Sequence, residues 1–502
     1  MFSKILIANR GEIAVRVIRA CREMGIESIA VYSDADAHAL HTTLADHRVR
    51  IGFAAAAESY LSVEAIIDAA LASGAQAVHP GYGFLSENPD LPSACTQAGI
   101  TFIGPPADAI NSMGSKIAAR RLAQAAGVPV VPGETPVDQT DASIADAVKR
   151  IGFPALLKPS EGGGGIGMKT VRDEASVVTA IAQARREATA AFGDGTLYVE
   201  RLVEKPRHVE FQIFADDHGN VVHLFERECS IQRRHQKVIE ETPSTALTPA
   251  LRQRMGNAAV AVARAAGYRN AGTVEFLLEG NGDSARFYFL EMNTRLQVEH
   301  PVTEQVTGVD LVRAQIAVAS GEQLPWRQDA LSQRGHAIET RVYAEDPARN
   351  DLPQAGRLLL YREPSMPGIR VDAGVMEGSE VSVHYDPLLA KLIAWGETRD
   401  AARRRALAAL RSYPILGIRT NIALLIELLE HPRFVAGSID TGFLDQEGDA
   451  IRTRLNVETP ATVEAIAAAV GRAGAPGVLD TDRRAGPSGP ADPWTALRDA
   501  RV

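Results

Sequence analysis

Short apolar runs alternate with helical segments along the first hundred or so residues. SKILIAN (3–9) and IESIAVYS (26–33) have the apolar, β-branched character of strands, and the segment between them carries apolar residues at helical spacing. Further strand signals follow at AQAVHP (75–80) and GITFIG (99–104). Alternation of this kind predicts an open parallel α/β domain over residues 1–114.

A second pattern, strict alternation of polar and apolar residues, runs through residues 287–300 (FYFLEMNTRLQVEH). If this stretch stays extended, its period of two places five polar side chains on one face: Glu291, Asn293, Arg295, Gln297 and Glu299. A half-buried strand whose polar face meets water is the alternative. The preceding TVEFLLEG (273–280) also has the pattern of a strand, and the Asn-Gly-Asp sequence at 281–283 favours a tight hairpin turn between the two.

This hairpin brings two carboxylates together, because counting outward from the turn places Glu275 nearly opposite Glu291. Facing carboxylates repel each other, and folding alone gives no reason for the arrangement. A hard divalent cation would convert the repulsion into a binding site, since Mg²⁺ is typically held by one or two carboxylates together with substrate phosphates. We therefore expect a magnesium site on the hairpin and a phosphate-binding element elsewhere in the chain.

A glycine-rich segment is the candidate for that element. Lys158 ends a predicted strand, and the four glycines at 162–165 form a loop whose backbone N–H groups can fold over phosphates. The order differs from a Walker loop, in which lysine follows the glycines, and a flexible linker is the alternative. The sequence NRGE (9–12) stands where a dinucleotide-binding fold would have G-x-G-x-x-G, so a NAD or FAD site is disfavoured.

Other charged residues lie on predicted strands or near them. Glu200 and His208 belong to two neighbouring alternating segments. SIQRRHQK (230–237) concentrates cations in one short run, which indicates either an anion site or a solvated loop. Further along the chain, Glu339 and Arg341 share one face of a predicted strand, within a region of α+β pattern.

Charge and composition narrow the classes of function. The 62 acidic residues exceed the 53 Lys and Arg for a net charge of −9, so the balance does not favour a nucleic-acid partner or an anionic membrane. The sequence shows neither a signal-peptide pattern nor an apolar segment long enough to span a bilayer, and we expect a cytoplasmic protein. Its three widely spaced cysteines predict reduced, mostly buried thiols.

Taken together, these segments resemble the biotin carboxylase component of biotin-dependent acyl-CoA carboxylases (acetyl-, propionyl- or methylcrotonyl-CoA carboxylase α type), in the ATP-grasp superfamily. The resemblance extends over about residues 1–447 and is most specific where RRHQK (233–237) is followed by EMNTRLQVEH (291–300). It implies an N-terminal α/β domain (1–114), an ATP-grasp domain (115–334) with a lid at about 133–203, a C-terminal α+β domain (335–447) and a linker or tail (448–502).

The resemblance implies a site for ATP and for Mg²⁺ or Mn²⁺. Lysines would meet the phosphates, the glycine loop would close over them, and hinge and strand residues would hold adenine and ribose. The implied ATP-binding residues are Lys116, Lys158, Gly163, Gly164, Gly165, Glu200, Val203, His208, Gln232, His235, Glu275, Leu277 and Glu291. The implied metal ligands are Glu275, Glu291 and Asn293.

The implied reaction is ATP- and bicarbonate-dependent carboxylation of biotin through carboxyphosphate. Glu299 would accept the proton of bicarbonate, Arg295 would grip the planar oxyanion at two points, and Arg341 would stabilise the biotin enolate. Lys237 is the fourth catalytic candidate and would add positive charge. Contacts with bicarbonate or biotin are implied for Arg295, Gln297, Val298, Arg341, Tyr82 and Gly83.

The resemblance also implies partners. The 502 residues contain no Ala-Met-Lys-Met biotinylation site, so biotin is expected to arrive on a carrier protein or domain, not attached to this chain. A carboxyltransferase subunit is the second implied partner, and a homodimer or a larger carboxylase complex is the implied assembly. The Gly- and Pro-rich tail indicates an excised fragment of an α subunit, with a free-standing subunit as the alternative.

Two other functions compete with this interpretation. Another ATP-grasp ligase, of the carbamoyl-phosphate or carboxylate-amine type, would share the lysines, the glycine loop and the acidic metal pair. A nucleotide-binding module that has lost turnover is the non-enzymatic alternative, and Ile166 motivates it because Arg or Lys is usual at that place in the glycine loop.

Ile166→Arg tests this departure. The substitution is expected to raise the apparent affinity for ATP, because it restores a cation that can contact phosphate. Titration of the wild-type protein and the variant with ATP measures the change. An unchanged affinity would show that the missing cation is not limiting.

Overall fold

The computed structural model describes residues 1–160, 166–234 and 236–455. The first part of the chain forms a five-stranded parallel sheet in the order β3-β2-β1-β4-β5, which confirms the predicted open α/β fold. Its strands are β1 (Lys4–Ile7), β2 (Glu27–Ser33), β3 (His47–Gly52), β4 (Ala77–His79) and β5 (Thr101–Phe102). The helices are α1 (Gly11–Glu23), α2 (Leu40–Leu44), α3 (Val63–Ser73), α4 (Asp90–Gln97) and α5 (Ala107–Gly114).

A small antiparallel sheet of four strands follows, in the order β6-β9-β7-β8. Two helices, α7 and α8, bury their apolar faces against it around Ile144, Leu157 and Ile181. The elements of this part are α6 (Lys116–Ala125), β6 (Gly133–Glu134), α7 (Asp141–Ile151), β7 (Ala155–Pro159), β8 (Lys169–Val171), α8 (Val177–Phe192) and β9 (Leu197–Arg201).

The largest sheet is antiparallel and has eight strands, in the order β14-β13-β10-β11-β12-β15-β22-β20. Its first part contains β10 (Arg207–Ala215), β11 (Val221–Arg233), β12 (Gln236–Thr242), α9 (Pro249–Ala265), β13 (Asn270–Glu279), β14 (Arg286–Asn293), α10 (His300–Thr307) and α11 (Leu311–Ala319). The remaining strands come from the C-terminal region, so the sheet crosses the predicted boundary at residue 335. The predicted domain limits themselves stay predictions.

The C-terminal region adds three strands to this sheet and covers it with helices. Its strands are β15 (His336–Tyr343), β16 (Glu345–Asp346), β17 (Leu352–Pro353), β18 (Gly356–Arg357), β19 (Leu360–Tyr361), β20 (Ile369–Ala373), β21 (Glu380–Val381), β22 (Leu388–Gly396) and β23 (Ile415–Leu416). Its helices are α12 (Arg399–Arg411), α13 (Ile422–Glu430), α14 (Pro432–Val435) and α15 (Phe443–Leu455). Helix α15 passes the predicted start of the linker at 448, because Phe443 and Ile451 are buried in the core. The rest of the predicted tail lies outside the described residues.

The hairpin β13–β14 confirms one prediction and corrects two. Glu275 and Glu291 are direct partners across the ladder, as predicted. The tight turn was wrong, because the ladder ends at Glu279 and Arg286 and residues 280–285 form a longer loop with a 3₁₀ turn. The extended stretch was too long as well, since β14 ends at Asn293 and the chain then turns into α10.

Two predictions from composition can be compared with the described residues. Cys21, Cys95 and Cys229 are buried and free, as predicted. No helix within the described ranges combines the length and the apolar character that crossing a bilayer requires.

Glu241 joins the sheet to its covering helix and provides a test of the packing. Arg399 donates to both of its carboxylate oxygens, at 2.6 and 3.0 Å, and His336 Nε2 lies 2.7 Å from Oε2. Burial alone would raise the pKa of Glu241, but the hydrogen bond from His336 and the charge of Arg399 outweigh it and lower the pKa to about 2.

Glu241→Gln is expected to lower the free energy of unfolding by about 3–5 kcal/mol near neutral pH, because it breaks a buried ion pair. The folded-state pKa lies below the ordinary value of 4.5, so this stabilisation is complete above that value and is lost as the pH falls toward 2. Urea unfolding of both proteins at several pH values measures the difference. A difference that grows on acidification would contradict the assignment.

Candidate active site

A cavity of about 690 Å³ lies at the junction of the small and the large sheet. Strands β7 and β9 supply one wall, the large sheet supplies another, and the loop from Asn293 to α10 crosses one end. The structure brings most of the predicted site residues to its lining: Lys116, Lys158, Glu200, Val203, His208, Gln232, Lys237, Glu275, Leu277, Glu291, Asn293, Arg295, Gln297, Val298, Glu299 and Arg341.

The lining does not account for all the predicted residues. Gly163, Gly164, Gly165 and His235 fall outside the described residues. Tyr82 and Gly83 are absent from the lining. Tyr82 adjoins the site only indirectly, because its hydroxyl donates to Glu12 while Lys391 Nζ, 6.0 Å from the Tyr82 ring centre, donates to the carbonyl of Val298 at 2.8 Å.

At one end of the cavity, Glu200 is held between two cations. Lys158 Nζ donates to Glu200 Oε2 at 3.2 Å, and Arg120 donates to the other oxygen. Burial lowers the pKa of Lys158, but the charge of Glu200 outweighs this and raises it. Arg120 was missed in the sequence, although it lies one helical turn after Lys116 on α6 and so faces the same way.

The facing carboxylates Glu275 and Glu291 sit on the floor of the cavity. Asn293 donates to Glu275 Oε1 at 2.8 Å, and His208 Nε2 lies 2.9 Å from Glu275 Oε2. Burial and then the charge of Glu275 raise the pKa of Glu291, although Lys116 and Lys158 oppose the shift. A carboxylate pair with one buried and one half-buried member, whose charge is only partly compensated, beside an amide oxygen, is a donor set that fits Mg²⁺ or Mn²⁺.

Lys237 lies at the centre of the charge arrangement. Its ammonium group donates to Glu275 Oε1 at 3.0 Å, to Glu299 Oε1 at 2.6 Å and also to Glu210. Burial raises the pKa of Glu299, but the charges of Lys237 and Arg341 outweigh it and hold the pKa well below its usual range. Glu299 is therefore ionised, buried and bonded to two cations.

A second layer of side chains fixes this arrangement from behind. Arg227, which is completely buried, donates to Glu210 at 2.6 Å and to Gln297 Oε1 at 2.9 Å. Gln297 in turn donates to Glu275 Oε1 at 2.8 Å. Sequence reasoning missed Arg227, and the signal available was a run of three consecutive charged residues, 226–228, in the middle of the long strand β11.

Arg295 and Arg341 present guanidinium groups to the same cavity from different elements. Arg295 donates to Glu87 at 2.9 Å and to Asn293 Oδ1 at 3.0 Å, so the loop after β4 holds it. Arg341 on β15 donates to Glu299 Oε2 at 3.0 Å. The cavity therefore combines an acidic pair, an ion-paired carboxylate and several cations. The cations can bind anionic substrates, and the carboxylate can accept a proton from one of them.

Comparisons with known proteins identify the family of the chain. Family profiles match the biotin carboxylase N-terminal domain over residues 1–110, the carbamoyl-phosphate synthase L chain ATP-binding domain over 115–327, and the biotin carboxylase C-terminal domain over 339–446. A biotin carboxylase of Halalkalibacterium halodurans is 51% identical over 444 residues, which span 88% of this chain and 97% of that protein.

The chain belongs to the biotin carboxylase family. A second member of the family, the biotin carboxylase domain dimer of Hydrogenobacter thermophilus 2-oxoglutarate carboxylase, crystallised with MgADP, ADP and bicarbonate, superimposes with a TM-score of 0.86. It is 44% identical, over 90% of this chain and 99% of that one. The methylcrotonoyl-CoA carboxylase subunit alpha of rice is 51% identical over 90% of this chain, which spans only 61% of that relative's length.

Lys237→Met tests the central ion cluster of this biotin carboxylase family member. Without nucleotide, the variant is expected to lose about 3–5 kcal/mol of unfolding free energy, because buried carboxylates are left without their shared cation. Chemical unfolding measures the loss.

Lys149→Met is the matched control. Lys149 lies 2.8 Å from Glu174 in an exposed ion pair, so its removal is expected to cost less than about 1 kcal/mol. Equal losses of unfolding free energy in the two variants would contradict the proposal that Lys237 stabilises the buried ion cluster.

Proposed function

We propose that this protein carboxylates biotin on a carrier, using ATP and bicarbonate, as the first half-reaction of an acyl-CoA carboxylase. The observation that carries the proposal is the position of Glu299. Its carboxylate lies between Lys237 and Arg341 in the cavity that also contains the Glu275–Glu291 pair. A proton acceptor, anion-binding cations and a metal-binding pair thus open onto one space, as attack of bicarbonate on a nucleotide phosphate requires.

The nucleotide would occupy the end of the cavity next to the small sheet. Lys116 and Lys158 would supply charge for the phosphates, and Glu200, Val203 and Leu277 line the same cavity. Glu275, Glu291 and Asn293 would hold Mg²⁺ or Mn²⁺, which supplies charge neutralisation at the phosphates when bound. The side chains of His208 and Gln232 would complete this part of the site.

Glu299 would act as the base that takes the proton from bicarbonate. Burial raises its pKa, but the charges of Lys237 and Arg341 outweigh burial and keep the pKa low before substrate arrives. An arriving anion competes for those cations, which weakens their hold on Glu299 and restores its basicity at the moment a proton must be accepted. Arg295, Gln297 and the Val298 backbone would hold the bicarbonate in place.

Arg341 would serve the biotin half of the reaction. Bicarbonate would attack the terminal phosphate with release of ADP, and the carboxyphosphate formed would break down to CO₂ and phosphate. This phosphate would take the proton from the ureido nitrogen of biotin before that nitrogen attacks CO₂. Negative charge then develops on the ureido oxygen, and a preorganised guanidinium group stabilises it. Tyr82 and Gly83 would border the entrance for the carrier-bound biotin.

The partners are proposed on the same basis. A biotin carboxyl carrier protein or domain and a carboxyltransferase would supply the other half of the cycle, with a homodimer as the assembly. Several relatives at this level of identity are mitochondrial subunits, so the cytoplasmic location stays a prediction.

Release of ADP tests the function. The protein is incubated with ATP, Mg²⁺ and bicarbonate, and free biotin is expected to accelerate ADP release. Absence of a biotin-dependent increase would contradict the proposal. Acceleration by ammonia or an amine instead would favour another ATP-grasp ligase.

Glu299→Gln tests the base. Bicarbonate-dependent hydrolysis of ATP is expected to fall about 100-fold or more, because the amide cannot accept the proton, whereas ATP binding is retained. Glu279→Gln, at the loop end of the β13–β14 hairpin in a half-buried pair with Arg201, is the control and is expected to remain active. A near-normal rate for Glu299→Gln would refute the assignment.

A further inference from the structure

Behind Arg341 lie two buried acids that the proposed reaction does not use. Glu240 on β12 and Glu339 on β15 are direct partners across the antiparallel ladder. Both residues are completely buried, and neither lines the cavity. Carboxylates in this relation repel each other, and burial increases the repulsion because water is excluded.

Glu240 holds the guanidinium group of Arg341 along one edge. Its Oε1 accepts from Nε at 2.6 Å and lies 2.5 Å from Nη2, while Glu299 accepts from the same Nη2 at 3.0 Å. The second oxygen of Glu240, Oε2, has no hydrogen-bond partner among the described residues. Glu240 therefore holds Arg341 from outside the cavity lining and does so through Oε1 alone.

Glu339 has a different environment. Neither of its carboxyl oxygens has a hydrogen-bond partner in the described part of the chain. Lys391, the cation whose charge most opposes the effect of burial on Glu339, is already bonded to Glu12 at 3.0 Å and to the carbonyl of Val298. Burial, which the charge of Lys391 opposes and that of Glu240 reinforces, raises the pKa of Glu339 well above its usual range.

Other charged or titratable groups face the pair from several neighbouring elements. They are Arg341 and Tyr343 on β15, Lys237 on β12, Cys229 on β11, Lys391 on β22 and Glu299 before α10. Burial raises the pKa of Glu240 to about 7 even though Arg341 opposes the shift. Two ionised carboxylates are therefore disfavoured at neutral pH, and one proton on the pair relieves the repulsion.

We propose that Glu240 and Glu339 share one proton, carried mainly by Glu339, and that Glu240 is a positioning residue that holds Arg341 toward the biotin substrate. The proton resides on Glu339 because Glu240 has the direct contact with a cation. Protonated Glu339 can donate to the unpartnered oxygen of Glu240, which leaves the charge of Oε1 for Arg341. The role of Arg341 toward biotin rests on the proposed function, whereas the shared proton does not.

The two acids are expected to respond differently to the same substitution. Glu339→Gln replaces a neutral acid by a neutral amide of the same shape, so biotin-dependent turnover near neutral pH is expected to stay within about twofold of wild type. Glu240→Gln removes the charge that holds Arg341 and is expected to lower biotin-dependent turnover about 10- to 100-fold, with the KM for ATP unchanged. Glu240→Asp, which keeps the charge on a shorter side chain, is expected to fall between wild type and Glu240→Gln.

Glu226→Gln is the matched control. Glu226 is also completely buried and also holds an arginine along one edge, with Arg252 Nε and Nη2 donating at 2.8 and 2.7 Å, but it lies outside the cavity lining. A purely structural role for Glu240 predicts similar turnover per folded protein in Glu226→Gln and Glu240→Gln, and that result would overturn the positioning role. Wild-type turnover in Glu240→Gln would overturn it too. If Glu240→Gln does not fold, Glu240→Asp decides, because wild-type turnover in that variant contradicts a role that depends on reach.

Infrared spectroscopy tests the shared proton without using turnover. The wild-type protein at neutral pH is expected to show the carbonyl stretch of a protonated carboxyl group, which Glu339→Gln removes and Glu226→Gln keeps. An identical band in wild type and Glu339→Gln would overturn the shared proton. If biotin does not stimulate the wild-type protein at all, the proposed function is wrong, and so is the role of Arg341 toward biotin. The infrared result still shows whether Glu240 and Glu339 share a proton.

Discussion

The ammonium group of Lys237 is the interaction on which the rest of the site depends. It neutralises carboxylates that reach it from β10, β13 and the start of α10. Buried charges are tolerated only when they are paired and hydrogen-bonded, so without this cation the three acids could not remain ionised so close together. The cluster thereby keeps Glu299 ionised and in place. In the proposed reaction, a substrate anion then competes with Glu299 for Lys237.

The large sheet makes this cluster possible because it places the acids and cations on neighbouring strands. Strands β14, β13, β10, β11, β12 and β15 are adjacent in that order, so side chains far apart in sequence lie side by side. Glu291 and Glu275 open the series at the proposed metal end, and Arg341 closes it at the proposed biotin end. Arg227 lies buried in the middle of the series and connects its two ends through hydrogen bonds to Glu210 and Gln297.

The local pattern of polar and apolar residues predicted part of this architecture, but it did not predict the contacts between distant parts of the chain. Alternation of strands and helices predicted the N-terminal parallel sheet. Hairpin counting placed Glu275 nearly opposite Glu291, and the longer loop and a bulge after Glu275 make the two direct partners. The end of β14 at Asn293 was missed because the polar alternation continues through the loop, where tertiary contacts of Arg295 and Gln297 replace strand pairing. Contacts such as Lys391 with Val298, or Glu240 with Arg341, join distant parts of the chain, and no local pattern encodes them.

The most direct test of the account follows an oxygen atom from bicarbonate. The site is proposed to bring a bicarbonate oxygen, freed of its proton by Glu299, onto the terminal phosphate of ATP. With oxygen-18-labelled bicarbonate, ATP and biotin, mass spectrometry of the released phosphate is expected to show oxygen transferred from bicarbonate. Phosphate that carries oxygen only from ATP and water would contradict the account, because hydrolysis would then proceed without bicarbonate as the nucleophile.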